Sequence, residues 1–311
     1  MEIGVSFATA SKLGLVDFKF SRPLPTFYFM VGQRCVYDCK FCTHSRSSRA
    51  NVLKLSRITW PRFPLRLVEE RLKTVDRKEL KRFCVQVISS KNYEAELVGT
   101  IKILSEFNVS LSISVRPKNF EEIERYFDLG VHRIGIATDT ATEELFEKIK
   151  GGSWRRHIQL LIDAAKAFPG KISTHLIIGL GETERQAVEF MFFMRSLNIR
   201  VALFAFTPVK GTQLESYSSP SLESYRRIQL ARFLIFEKNI EEDAILFQNE
   251  EIKGFKVEYS EEFNNAFLTS GCDHCNRPFY NESPNGIMYN VPYIDMLGKV
   301  ESIRFSELFG R

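Results

Sequence analysis

The chain has 311 residues, 44% hydrophobic and 26% charged, enough for one (β/α) barrel plus a tail or for two small domains. No apolar run approaches the roughly 18 residues that a membrane span needs. The start Met1-Glu-Ile-Gly-Val-Ser-Phe7 lacks the basic lead and apolar core of a secretory signal, so no membrane partner and a cytoplasmic location are expected. Six cysteines outside any regular disulfide framework fit a reducing compartment where thiols are free to hold metal. The net charge of +5 is unevenly spread, with twelve Lys/Arg against four Asp/Glu between His44 and Arg82. Such a run is either a solvated helix face or a docking surface for an acidic partner. No recognised nucleic-acid motif accompanies it, so nucleic acid is not expected as a partner.

In chain order, residues 1–22 form a weakly patterned lead. Pro23 and Pro25 then introduce Thr26-Phe-Tyr-Phe-Met-Val31, an apolar run bounded by Gly32 that reads as a buried first strand. Helix and strand signals alternate from there. Helix is expected over 66–74, 93–107, 120–129, 142–150, 154–168, 184–197 and 222–238, and strand over 83–88, 109–115, 131–136, 171–178 and 200–206. About six β/α units of 25 to 40 residues argue a parallel sheet joined by right-handed crossovers. The expected fold class is α/β, a partial (β/α)6 TIM-like barrel over 23–244, with a C-terminal extension at 245–311 folding over the barrel mouth.

Directly after the first strand comes Cys35-Val-Tyr-Asp-Cys39-Lys-Phe-Cys42, three thiols at CxxxCxxC spacing. Thiolates so crowded are a soft-metal site, open to iron–sulfur, zinc or disulfide chemistry, or to none of these. A structural zinc site wants a fourth ligand at its usual spacing, and only His44 is near. Three thiolates without an obvious fourth suit a [4Fe–4S] cluster with one iron left open.

This loop resembles that of the radical S-adenosylmethionine (SAM) enzymes, in which the open iron binds the amino and carboxylate groups of SAM; Phe41 before the last Cys fits the same pattern. The fifth barrel strand ends Thr174-His-Leu-Ile177-Ile-Gly179-Leu-Gly181-Glu182. Ile177, Gly179 and Glu182 match the family's GxIxGxxE signature, which lines the adenine of SAM, while His175 stands where the pattern has Gly. The resemblance also implies that Ser89 and Ser90 replace a Gly-Gly-Glu turn for the methionine amine, or are a strand end. Asp139, after the fourth strand, is a candidate for the SAM ribose hydroxyls, or an N-cap of the next helix. In such barrels the C-terminal strand ends carry the chemistry.

Two further stretches resemble biotin synthase and lipoyl synthase relatives: Thr207-Pro-Val-Lys-Gly211-Thr212-Gln-Leu214, and Arg82-Phe-Cys84, whose Cys in biotin synthase ligates a second, sulfur-donating [2Fe–2S] cluster. The other thiolates of that cluster are missing, for the third and fifth strands offer Leu111-Ser-Ile-Ser114 and Lys171-Ile-Ser173. A CxxC follows in the tail, Ser270-Gly-Cys272-Asp-His-Cys275-Asn-Arg277, which alone reads as half a zinc site or a redox pair. We expect Cys84, Cys272 and Cys275 to hold an auxiliary [4Fe–4S] cluster, with Ser270, His274, Asn276 or Arg277 as a weaker fourth ligand. The competing reading of Cys84 is an ordinary buried strand cysteine.

The tail GCDxCNRPFYNExP resembles the C-terminal motif of archaeal-type lipoyl synthases, which work as two related radical SAM proteins. The short Cys-rich N-terminal motif of bacterial lipoyl synthase and its terminal Arg-Ser-Ser-Tyr have no counterpart here. The resemblance implies sulfur insertion into an octanoyl-lysine on an acidic lipoyl carrier protein or domain. It also implies a paralogous radical SAM subunit and an electron donor such as ferredoxin. The alternative is a biotin-synthase-like or other radical SAM enzyme whose tail cluster relays electrons or binds substrate.

Overall fold

The computed structural model describes residues 1–280 and 286–299. The chain divides into two compact units. The first comprises Met1–Ala137, Pro208–Tyr217 and Asp273–Cys275; the second comprises Thr138–Thr207, Ser218–Cys272 and the described residues from Asn276 onward.

The first unit runs β1 (Glu2–Val5), α1 (Phe7–Lys12), β2 (Thr26–Val31), a short ribbon of β3 (Lys54–Leu55) and β4 (Ile58–Thr59), and β5 (Arg62–Pro64). It continues with α2 (Leu65–Thr74), β6 (Arg82–Val87), α3 (Tyr93–Ser105), β7 (Ser110–Val115), α4 (Phe120–Asp128) and β8 (Arg133–Ile136). Its sheet order is β8-β7-β6-β2-β1-β5. Strands β2, β6, β7 and β8 are parallel, and β1 lies antiparallel to β2 and β5. All six residues of β2 are buried, as a central parallel strand covered on both faces requires. Helix α2 buries Leu65, Val68 and Leu72 along one stripe, and Asn119 caps α4 by accepting from the Glu122 N–H at 3.1 Å. The lead is more ordered than its weak pattern suggested. Gly4 and Val5 pair with Met30 and Phe29, and Ser6 caps α1.

The second unit runs α5 (Glu143–Leu145), which continues into a wider π-type turn at Phe146–Lys150, then α6 (Trp154–Ala167), β9 (Ile172–Ile178), α7 (Glu184–Ser196) and β10 (Arg200–Ala205). It continues with α8 (Leu222–Glu237), β11 (Ile245–Gln248) and β12 (Glu251–Phe255), followed by 3-10 turns at Glu261–Phe267 and Ile294–Lys299. Strands β9 and β10 are parallel and β11 and β12 antiparallel. A capping box between Thr183 and Gln186 starts α7. Helix α8 is buried from Tyr225 through Ile235, three arginines included. The expected helix over 142–150 is the main departure: only three residues are α-helical before the turn widens. Among the described residues no helix is long and apolar enough to cross a membrane.

Candidate active site

Gly32 turns the chain out of the C-terminal end of β2. Its φ of 78°, and an ideal Cβ only 2.2 Å from the Ile88 carbonyl oxygen, leave room for no side chain. The Cys35–Cys42 loop that follows is tied down by its own backbone. Cys35 N–H donates to the His44 carbonyl at 2.8 Å, Val36 N–H to the Ser89 carbonyl at 2.9 Å, and Cys42 N–H to the Cys39 carbonyl at 3.0 Å. Arg34 closes the loop exit by donating to the carbonyls of Thr43, Ser45 and Ser48 at 3.4, 3.0 and 2.8 Å.

The three loop cysteines are in no disulfide and are half-buried. Each sulfur faces a donor: Tyr37 N–H at 3.4 Å from Cys35, His44 N–H at 3.4 Å from Cys42, and the Arg116 guanidinium at 3.9 Å from Cys39. Donors aimed at sulfur favour the thiolate, the form that ligates metal. Burial pushes the Cys35 thiol up, while backbone N–H groups and the Arg116 charge pull it back. His44 is buried, and its ring faces the Gln33 carbonyl through Nδ1. Among the described residues no three Cys, His, Asp or Glu side chains enclose a single ion. A cluster asks for a wider arrangement, since each thiolate binds a different iron. Three thiols on one pinned loop, each facing a donor, fit that group.

The other expected residues beside this loop serve its backbone. Ser89 is buried and its carbonyl holds Val36; Ser90 N–H donates to the Ile88 carbonyl at 2.7 Å. Phe41 is half-buried within the loop.

The tail segment Asp273–Cys275 corrects one expectation. It does not lie at the end of the strands from which the cluster loop departs. Thr26, the first residue of β2, donates to the His274 carbonyl at 2.7 Å, and Arg82, the first of β6, donates to the Asp273 carbonyl at 3.0 Å. The segment therefore sits at the N-terminal strand ends, held by two side chains that seek carbonyls there. Cys275 comes within 3.6 Å of the Tyr28 hydroxyl, and Tyr28 is the register partner of Cys84 on the neighbouring strand. Cys84 itself accepts from Gln86 at 3.2 Å. The next strand presents Ser112 opposite Cys84, its hydroxyl occupied by Arg82 at 2.6 Å.

In the second unit, Gly179 has φ 103°, and a Cβ there falls 2.8 Å from Pro220 Cδ. Glu182 folds back onto this turn, accepting from Gly179 N–H at 2.6 Å and Leu180 N–H at 3.1 Å. Burial pushes its carboxyl up, and those same N–H groups oppose the shift. Ile177 N–H donates to the Asp139 carbonyl at 2.9 Å, and Asp139 N–H to the His175 carbonyl at 2.8 Å. The Asp139 carboxylate is in a buried ion pair with Lys150, and Thr142 rather than Asp139 caps the following helix. His175 and Ile177 share the half-buried face of β9, opposite buried Thr174, Leu176 and Ile178. Burial pulls His175 down to about 4, with the Asp139 charge opposing.

Four residues were expected as the weaker ligand of an auxiliary cluster. Ser270 accepts from Leu203 N–H at 2.9 Å, and Arg277 donates to the Ser270 carbonyl at 2.7 Å while stacking 3.8 Å above the Phe204 ring. Asn276 is buried, with its carbonyl accepting from Thr269, and His274 is exposed. Cys272 is half-buried and free. The sequence reading missed Arg116, Lys150 and Tyr28. Only Arg116 left a trace, as a cation at a strand's C-terminal end before Pro117.

The family model of the Radical SAM superfamily matches residues 29–194, just over half of the chain. A biotin synthase of Acetivibrio thermocellus is 27% identical over 248 residues, covering 76% of this chain and 74% of that one. A biotin synthase of Clostridium acetobutylicum is 26% identical over 217 residues, 66% of this chain and 63% of its own. An uncharacterised protein of Methanocaldococcus jannaschii is 26% identical over 184 residues, 55% of this chain and 48% of its own. The chain thus spans about half to three-quarters of the length of these curated relatives. Two solved structures share the fold: methylornithine synthase, with TM-score 0.52 at 16% identity over 72% of this chain and 68% of that one, and HydG, a maturase of the [FeFe]-hydrogenase, with TM-score 0.57 at 10% identity over 84% and 56%. The α/β fold, the three-thiol loop after the first parallel strand and the family match over both agree: the chain belongs to the radical SAM superfamily, and its cofactors are a [4Fe–4S] cluster and SAM.

Proposed function

We propose that this radical SAM enzyme is a sulfurtransferase that inserts sulfur into an unactivated C–H bond of a protein-bound octanoyl-lysine, as one subunit of a two-protein lipoyl synthase. Cys35, Cys39 and Cys42 hold the first cluster, and Ile177, Gly179 and Glu182 belong to the SAM-binding strand end. Glu182 acts there by bracing the turn at Gly179 and Leu180. When bound, the cluster and SAM supply reductive cleavage of SAM and removal of a hydrogen atom, chemistry that acid–base side chains cannot perform on a saturated chain.

The observation that carries the reading is the placement of sulfur at both ends of one strand. The cluster loop leaves β2 after Val31, while Tyr28, three residues earlier, lies beside Cys275 and in register with Cys84. Three strand residues span about 10 Å. An acyl chain lying along that stretch has hydrogen-atom removal at one end and thiolates at the other. Cys84 and Cys275, with Cys272 three residues before Cys275 at CxxC spacing, are our choice for the auxiliary cluster, and that cluster for the sulfur source. Ser112, held by Arg82, cannot replace the thiolate that a [2Fe–2S] site wants beside Cys84.

The partners we infer are an octanoylated lipoyl carrier, a paralogous subunit and a ferredoxin-like electron donor. Ten of the twelve basic residues between His44 and Arg82 are exposed, which supports docking of an acidic carrier; Arg62 and Arg82 point elsewhere, Arg62 to the Gly32 and Glu2 carbonyls. The test is an anaerobic assay of the reconstituted protein on an octanoylated carrier peptide, alone and with its paralogue. A mass gain of one or two sulfurs on the peptide, with loss of auxiliary sulfide, is expected. Formation of 5′-deoxyadenosine without sulfur transfer, the second cluster remaining intact, rejects the sacrificial role. It would favour the second reading, a biotin-synthase-like or other radical SAM enzyme whose tail cluster relays electrons or binds substrate, which the biotin synthase relatives support.

A further inference from the structure

The guanidinium of Arg116 has no part in the family signature, yet it stands on the cluster loop. Its Nη1 is 3.9 Å from Cys39 Sγ, and its Cζ lies over the ring of Tyr37, 4.0 Å from the centroid, Tyr37 standing between the first two cysteines in sequence. It leaves the C-terminal end of β7 immediately before Pro117, whose ring restricts the Arg116 backbone to extended conformations. The stacking on Tyr37 fixes the fork in direction, which a lysine could not reproduce. The loop's own acid, Asp38, is turned away to Ser47, whose N–H and hydroxyl both bond it at 2.8 Å. Arg116 thus faces Cys39 while the loop's own carboxylate is occupied elsewhere.

We propose that Arg116 is a positioning residue that sets the reduction potential of the cluster at Cys35, Cys39 and Cys42, making it easier to reduce by holding a positive charge against Cys39. The physical reason is direct. Adding an electron to a thiolate-ligated cluster raises its negative charge, and a fixed cation a few ångströms away stabilises the reduced form more than the oxidised one. Tyr37 is the platform that keeps the guanidinium there. The inference concerns the first cluster alone and stands or falls independently of sulfur insertion.

The test is an anaerobic redox titration of the reconstituted protein, without SAM or substrate, with dithionite supplying one electron per cluster and the reduced state read by EPR. At the wild-type midpoint, Arg116→Gln should lower the ratio of reduced to oxidised cluster by on the order of 10-fold. Arg116→Lys, which keeps the charge without the stacked fork, should fall between. Tyr37→Leu, which keeps the arginine and removes its platform, should also lower the ratio. An unchanged ratio in both R116Q and Y37L overturns the proposal. So does a result in which R116Q changes only the affinity for SAM, measured by equilibrium dialysis, because Arg116 would then be a SAM ligand. If R116Q does not load its cluster, Y37L decides: an unchanged ratio rejects the proposal and a lowered one supports it.

Discussion

Glu182 is a carboxylate spent on backbone. By accepting from Gly179 and Leu180 it locks a turn in which Gly179 can be nothing else, for its φ is in the left-handed region and Pro220 fills the space of a side chain. Gly179→Ala should therefore cost about 1–3 kcal/mol by urea denaturation and weaken SAM binding in equilibrium dialysis; equal stability would mean the turn is not constrained. His175 makes a second prediction at this scale. Its folded pKa of about 4 lies below its ordinary value of 6.5, so between those values the unfolded chain binds more protons. The stability it contributes is full above pH 6.5 and is lost as pH falls toward 4. Denaturation at pH 7.5 and 5.0 should show a loss of about 1–3 kcal/mol that His175→Asn largely removes. A parallel loss in the variant would assign the effect to other groups, with Asp139, Lys150 and Arg277 the charges that face this ring. Gly179 and Glu182 were legible because their spacing is a family pattern. Lys150 was not, because eleven residues separate it from Asp139 and nothing local marks the pair.

Regular elements were legible wherever burial enforces a period. The strand expected at 83–88 is Arg82–Val87, and the helix expected at 184–197 is Glu184–Ser196. The lead was not, since a four-residue strand carries too little pattern to be told from coil. Helix α8 breaks the amphipathic rule outright: its arginines are buried because each finds an anion or carbonyl. Arg227 meets Glu184 on α7 at 2.6 Å, Glu184 also accepts from Ile252 N–H at 2.8 Å, and Arg226 bonds the carbonyls of Met288 and Tyr289. Removing Glu184 leaves the buried Arg227 guanidinium with the largely exposed Glu223 carboxylate at 2.6 Å. Glu184→Leu should cost about 3–5 kcal/mol in chemical denaturation, whereas the double change Glu184→Leu with Arg227→Leu should recover part of it. A double variant no more stable than E184L would show that the carboxylate's bond to Ile252, and not the ion pair, dominates.

For the molecule as a whole, the informative fact is which end of the strands the CxxC segment reaches. Spacing showed that Cys272 and Cys275 could join Cys84 but could not show at which end of β2 and β6, because a long connection leaves both open. Two donors decide it. Thr26 and Arg82 begin their strands, and both donate to carbonyls of the Asp273–Cys275 segment. If Cys275 ligates the auxiliary cluster, these bonds are what bring it there, and weakening them should empty that site and spare the other. The comparison is cleanest in a chain whose Cys35, Cys39 and Cys42 are all alanine, so that bound iron reports the second cluster alone. In that background Thr26→Val, which changes shape little and removes one bond, should lower iron and sulfide moderately. Adding Arg82→Met should remove most of what remains, while far-UV circular dichroism stays that of the parent. The same changes made with the loop cysteines intact should leave the first cluster's EPR signal in place. Iron retained in full by the Thr26→Val, Arg82→Met chain would show that the auxiliary site forms without the docked tail. The role of Cys275 would then have to be reassigned.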